Sequence, residues 1–216
     1  MRYETGPRAA AIADGLHRVR SYGSGALYVL PGAVLSGYHR FTVAPVEIFY
    51  HTPRPGDVVH EFQPRERERF EQAVRRELEA VFGADSALEL TAAPGPGVLS
   101  VRAQFVDLSL GVPRPAPPDL INVWTTTEFR LFLDLSDSVS GGSLLRQVDF
   151  RRLHPWSLGF PLASGGIAHP SATQVTAMEE TAAIRQAVGN RVRAFHDTFG
   201  RLRSEGTFPQ PGNRAT

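Results

Sequence analysis

Residues 94–110, PGPGVLSVRAQFVDLSL, and residues 129–150, FRLFLDLSDSVSGGSLLRQVDF, decide the fold class. In the first, Pro94-Gly95-Pro96-Gly97 announces a turn. Leu99, Val101, Ala103 and Phe105 then alternate with Ser100, Arg102 and Gln104. That period of two is the mark of a half-buried strand. After Phe105 the phase slips, and Val106, Leu108 and Leu110 take over the apolar positions. A one-residue slip in a regular strand would turn the apolar set to solvent, so the pattern predicts a β-bulge near Val106-Asp107. In the second stretch Phe129, Leu131, Leu133 and Leu135 alternate with Arg130 and Asp134, and Phe132 is the exception on the wetter face. Ser140-Gly141-Gly142 reads as a hairpin turn, with the Asp137 carboxylate as turn former, leading into a strand from Leu144 to Arg151. Strands joined by a short hairpin run antiparallel.

Upstream, Phe41 to Tyr50 (FTVAPVEIFY) is rich in strand formers but changes phase at Pro45. Proline cannot donate to a ladder, so an edge position or a bulge is expected there. Pro31-Gly32 breaks the apolar stretch 26–39, and Leu88 to Leu90 is a short strand candidate. Between these lies the clearest helix, Arg65 to Phe82 behind Pro64, with Phe70, Val74, Leu78 and Phe82 on one stripe. Glu71 and Arg75 are spaced to pair on its wet side, and Gly83 reads as its stop. A short helix is also expected over Ala9 to Leu16. Downstream, Gly111 to Asp119 is a Pro-rich crossover, and residues 153–170 form a long Gly/Pro-rich loop of the kind that often carries function. Ser171 and Gln174 make a capping box ahead of a last helix bearing Val188, Val192, Phe195, Phe199 and Leu202, with a bend expected at Gly189-Asn190. The elements together predict a single α+β domain over residues 1–205, a mostly antiparallel sheet covered by two helices on one face. Residues 206–216 are expected to be a disordered tail.

Composition excludes several classes. The chain has 216 residues, a net charge of +1 and no cysteine. Disulfides, thiolate catalysis and Cys-ligated metals are therefore absent. No lysine appears, so the side chains always cationic at neutral pH are all arginines, which suggests a GC-rich bacterial source. Arg and Glu interleave, as in Arg65-Glu66-Arg67-Glu68-Arg69, so no basic stripe supports nucleic-acid binding. No apolar run approaches the roughly 18 residues of a membrane helix. The first residues, MRYETGP, lack the apolar stretch of a secretory signal. The expectation is either a cytosolic protein or one whose targeting segment precedes this sequence.

Several landmarks carry a resemblance. Gly37-Tyr38 precedes VAPVEIFY, and a helix then leads to PGPGVLSVRAQFVD. After that comes LDLSDSVSGGSLLRQVDFRR, with its acidic residue, Ser-Gly turn and closing Asp. From about Ala26 to Arg152, and in the last helix, the chain resembles DUF3313, a bacterial family held to be lipoproteins. The resemblance implies a protein anchored at the periplasmic face of the outer membrane by a lipidated N-terminal Cys. This chain has neither that Cys nor a signal. No activity, cofactor or functional residue comes with the family.

Candidate chemistry is sparse. The chain has no G-x-S-x-G elbow, P-loop or dinucleotide fingerprint. The seven histidines are scattered without H-x-x-x-H spacing, so neither a metal site nor a cofactor is expected. His51, Asp57 and His60 bracket a turn and read as solvated loop residues. Asp107, Asp134 and Asp149 fall on strands beside apolar positions and read first as polar-face or bulge residues, though two of them facing each other in a pocket could do acid–base work. Trp124 at the crossover end, with His154 and Trp156 in the long loop, are the candidate binding residues, since exposed Trp anchors interfaces. A buried plug under the loop is the favoured reading for the Trp residues, with the exposed anchor weighed against it. The leading expectation is a non-enzymatic envelope domain that binds an envelope protein or a small ligand. The alternative is an acid–base hydrolase using Asp107, Asp149 and a nearby His.

Overall fold

The computed structural model describes residues 12–19, 25–53, 61–110, 127–153, 177–206 and 208. Eight strands form one sheet: β1 (His17–Val19), β2 (Ala26–Val29), β3 (Arg40–Val43), β4 (Glu47–Tyr50), β5 (Glu89–Leu90), β6 (Val98–Ser109), β7 (Thr127–Asp137) and β8 (Ser143–Leu153). Among the described residues two helices accompany it, α1 (Pro64–Gly83) and α2 (Ala177–Glu205). The α+β class expected from the sequence is the class observed.

The sheet is mixed. Its order is β1-β2-β8-β7-β6-β3-β5, with β4 also on β6. From β1 to β6 every pairing is antiparallel, centred on the β7–β8 hairpin. Beyond β6 the pairings are parallel: β3 and β4 on β6, and β5 on β3. The reason is connectivity. The chain runs from β4 through α1 before reaching β5 and β6, and a helical crossover returns it to the end where it started.

The sequence breaks fall where the ladder changes. β3 follows Val98 to Val101 and β4 follows Gln104 to Leu108 along the same neighbour. Pro45 lies in the gap between them, where no ladder donor is required. The phase slip in β6 is a bulge: the register with β7 shifts between Val106 and Ser109, and Asp107 adopts φ 55°. The left-handed region is uncommon for a non-Gly residue, though Asp is among those that tolerate it.

One sheet face builds the core. Val101, Ala103 and Phe105 of β6 lie opposite Leu135, Leu133 and Leu131 of β7, all buried. α1 sets Phe70 edge-on to Phe105 with ring centroids 5.0 Å apart, and Phe82 lies 5.8 Å from Phe41 of β3. α2 brings Phe195 and Phe199 against Phe82 at 6.4 and 6.0 Å. Its Arg191 reaches Asp149 of β8 at 2.8 Å.

Several local expectations are corrected. Pro64 does open α1, and the Glu66 carboxylate accepts the Gln63 N–H at 3.0 Å. Gly83, however, is the last helical residue, and the cap is Ala84 at φ −73°. No left-handed glycine ends the helix. Its wet face pairs Arg67 with Glu71 and Arg75 with Glu79, in place of Glu71 with Arg75. Residues 12–16 make a tight turn, Gly15 N–H donating to Ile12 C=O at 2.8 Å, and not the end of a helix. α2 includes Gly189-Asn190 within its helical span. Ser171 and Gln174 lie outside the described residues. Phe208, within the tail expected to be disordered, is 2% exposed, and its N–H donates to Ala33 C=O.

Candidate functional site

The three strand carboxylates do not meet. Asp134 and Asp149 lie on adjacent strands but on opposite faces. Asp149 stands opposite Leu131 on the core face, while Asp134 stands opposite Arg102 and Arg146 on the outer one. Asp149 is 3% exposed and held by Arg191 from α2 and Arg151 from its own strand. Asp134 is 6% exposed and accepts from Arg146 Nε at 2.6 Å and Ser143 Oγ at 3.2 Å. Arg146 also reaches Asp14 at 2.6 Å, tying the turn before β1 to the sheet. Burial pushes both carboxyl pKa values up, and the facing arginines oppose that rise. Asp107, at the bulge, is half-exposed and pairs with Arg130 at 2.9 Å. Each carboxylate is occupied by an arginine, and no shared cleft joins them among the described residues.

Three stretches distant in sequence converge at one end of the sheet. Tyr38 Oη donates to Asp137 Oδ2 at 3.1 Å. The other Asp137 oxygen accepts from Val139 N–H, Ser140 N–H and Ser140 Oγ at 3.1, 2.8 and 2.9 Å. Ser138 Oγ accepts from Gly95 N–H and donates to Gly95 C=O. Gly97 C=O accepts from His39 N–H at 3.1 Å, and Arg40 donates to Pro96 C=O at 3.1 Å. Burial, followed by the hydrogen bond to Asp137, raises the Tyr38 pKa to about 12. The three backbone and hydroxyl donors at Ser140 and Val139, together with Tyr38, lower that of Asp137. This corner is a clamp. Its polar atoms are committed to one another, and it holds no nucleophile–base pair.

The remaining histidines offer little. His196 lies edge-on to Phe82 at 5.0 Å, with Nε2 3.7 Å from Asp85 Oδ2. His51 is exposed, while Asp57 and His60 lie outside the described residues. Among the described residues no group of three or more His, Asp or Glu is placed to hold a metal ion. The sequence-based binding candidates Trp124, His154 and Trp156 all lie outside the described residues.

What the sequence did not single out is the surface opposite the core. There Gln104, Phe132, Val148 and Ala26 stand in one cross-strand row. Val106, Arg130 and Phe150 stand in the next. Phe150 is 55% exposed, and Phe49 of β4 is 52% exposed. β4 pairs with β6 alone, so its far side carries backbone groups that no described strand engages. The sequence signal was present in the Pro45 break, which marks an edge, but nothing in it said which flank would stay open.

The landmarks of the corner clamp are those that carry the resemblance noted above. A sequence-family model described as "protein of unknown function (DUF3313)" matches residues 11–156. The chain belongs to that family. The DUF3313 match spans all eight strands and α1, and leaves α2 outside it. No curated protein matches the chain. Among solved structures the chain is similar to PelC from Paraburkholderia phytofirmans, a dodecamer, at 13% identity and TM-score 0.37, covering 78% of this chain and 95% of that one. It is also similar to a Xanthomonas campestris protein of family DUF330, at 13% identity and TM-score 0.40, covering 81% and 91%. These are distant likenesses, and the dodecameric assembly is a property of PelC.

Proposed function

We propose that this DUF3313 chain is a single, non-catalytic binding domain of the bacterial envelope. A lipidated segment ahead of this sequence holds it at the periplasmic face of the outer membrane. There it takes up an extended segment of a partner protein along β4. The observation that carries the reading is the β4 edge with exposed Phe49. An edge strand offers main-chain hydrogen bonds to an added strand, and a neighbouring aromatic supplies a side-chain anchor. A hydrolase reading loses its basis, because Asp107, Asp134 and Asp149 are separated and arginine-paired.

The test is a photo-crosslinking residue at Phe49, with a second one at exposed Val139 on the hairpin turn as control. The expected result is one envelope protein captured at Phe49 and not at Val139. Purified partner should then bind the wild type and not Phe49→Asp. Mass spectrometry of the native protein should find a lipidated Cys ahead of this sequence in the outer-membrane fraction. An unmodified chain in the cytosol overturns the location. Equal capture at both positions overturns the β4 surface.

A further inference from the structure

β4 is four residues long, and its side chains alternate between the two faces of the sheet. Ile48 and Tyr50 stand opposite Phe105 and Leu108 on the core side. Tyr50 is held there, its Oη accepting the Phe62 N–H at 3.0 Å. Glu47 stands opposite Gln104 on the outer side, and Phe49 follows on the same side. An incoming strand therefore meets a half-buried carboxylate and an exposed aromatic ring as neighbours on the outer face.

Glu47 is the charge left over at this edge. Its Oε2 accepts from the Gln104 amide, a neutral donor, and no arginine pairs with it among the described residues. The neighbouring carboxylate, Asp107, sits in the bulge between the Phe105 and Leu108 pairings and is matched by Arg130 at 2.9 Å. The outer lip of β4 thus carries one uncompensated negative charge. Opposite charges directly across two strands attract, and like charges there repel. Two β4 strands laid edge to edge would bring two Glu47 carboxylates onto one four-residue ladder, which argues against a second copy of this chain as the occupant.

We infer that the β4 partner is an extended segment with a basic residue opposite Glu47 and an apolar residue opposite Phe49, next neighbours on one face of the added strand. This inference rests on the β4 reading above and adds the chemistry of the partner to it. A parallel strand carries the basic residue first, and an antiparallel strand carries it second. Short Val/Thr-rich peptides serve as probes, each with a Lys, Gln or Glu next to a Leu on the same face, made in both orders. Their binding to the full chain is read by fluorescence anisotropy. In the order that matches the strand direction, the Lys peptide should bind about fivefold more tightly than the Glu peptide, the scale of an attractive cross-strand pair exchanged for a repulsive one. Glu47→Gln, which keeps an acceptor for Gln104, should remove that preference, and Glu47→Lys should reverse it. Phe49→Ser should weaken all the peptides alike. Phe49-dependent binding that is indifferent to the charge at residue 47 overturns the basic partner and leaves the β4 edge standing. No Phe49-dependent binding of any peptide to a monomeric chain overturns both. Phe49-dependent self-association of the free chain assigns the edge to a second copy and overturns the basic partner.

Discussion

Gly97 shows how one residue fixes a turn. It adopts φ +69°, and a Cβ there would stand 3.2 Å from the Gly37 carbonyl oxygen. A side chain at Gly97 therefore meets both a left-handed backbone and a backbone atom that cannot swing aside. Gly97→Val should cost at least about 1–2 kcal/mol, the usual penalty for an L residue in that region, read as a lower denaturation midpoint with unchanged m-value. Tyr38 and Asp137, next to this turn, give the fold a pH signature. The Tyr38 pKa lies at about 12 in the folded chain against 10.0 ordinarily. Its contribution is therefore complete below pH 10 and is lost as pH rises through 12. Asp137 is shifted down from 3.8, so its contribution is present above that value and is lost as pH falls below it. Melting curves of wild type and Tyr38→Phe should differ by a constant amount near neutral pH and converge above pH 10. Those of wild type and Asp137→Ala should converge in acid.

At the scale of elements, α2 is joined to the sheet by a charge as well as by packing. Its apolar stripe of Val188, Val192, Phe195 and Phe199 is buried, and Arg191 pairs with a carboxylate that is almost wholly enclosed. Removing one partner of such a pair leaves an uncompensated buried charge. Arg191→Met should cost up to about 3 kcal/mol, the low end for a broken buried pair, because Arg151 still holds Asp149. The double variant Arg191→Met with Asp149→Leu should recover part of that loss in the same denaturation experiment. If the single and double variants are equally unstable, the cost comes from packing and not from the ion pair. The β4 edge behaves differently. Phe49 is exposed, so Phe49→Asp should change stability by no more than about 0.5 kcal/mol. Circular dichroism melting should thus show that any loss of partner binding in that variant is a surface effect.

At the scale of the whole molecule, the two sheet faces divide the labour. The core face meets aromatic side chains of α1, which α2 in turn packs against, while the outer face carries arginine–carboxylate pairs and two exposed phenylalanines. The sequence by itself determined the strands of the central hairpin, the bulge at Val106-Asp107, the break at Pro45 and the amphipathic helix after Pro64. These are encoded by local period and by residues with restricted backbones, so neighbours along the chain suffice to read them. Only the tertiary structure decided that β3, β4 and β5 run parallel at one side of the sheet. It also decided that Asp134 and Asp149 face opposite ways and that Tyr38, Gly97 and Asp137 meet at one corner. The open flank of β4 was set there too. Each of these depends on which segments pack side by side, and residues far apart along the chain leave no periodic trace of their contact.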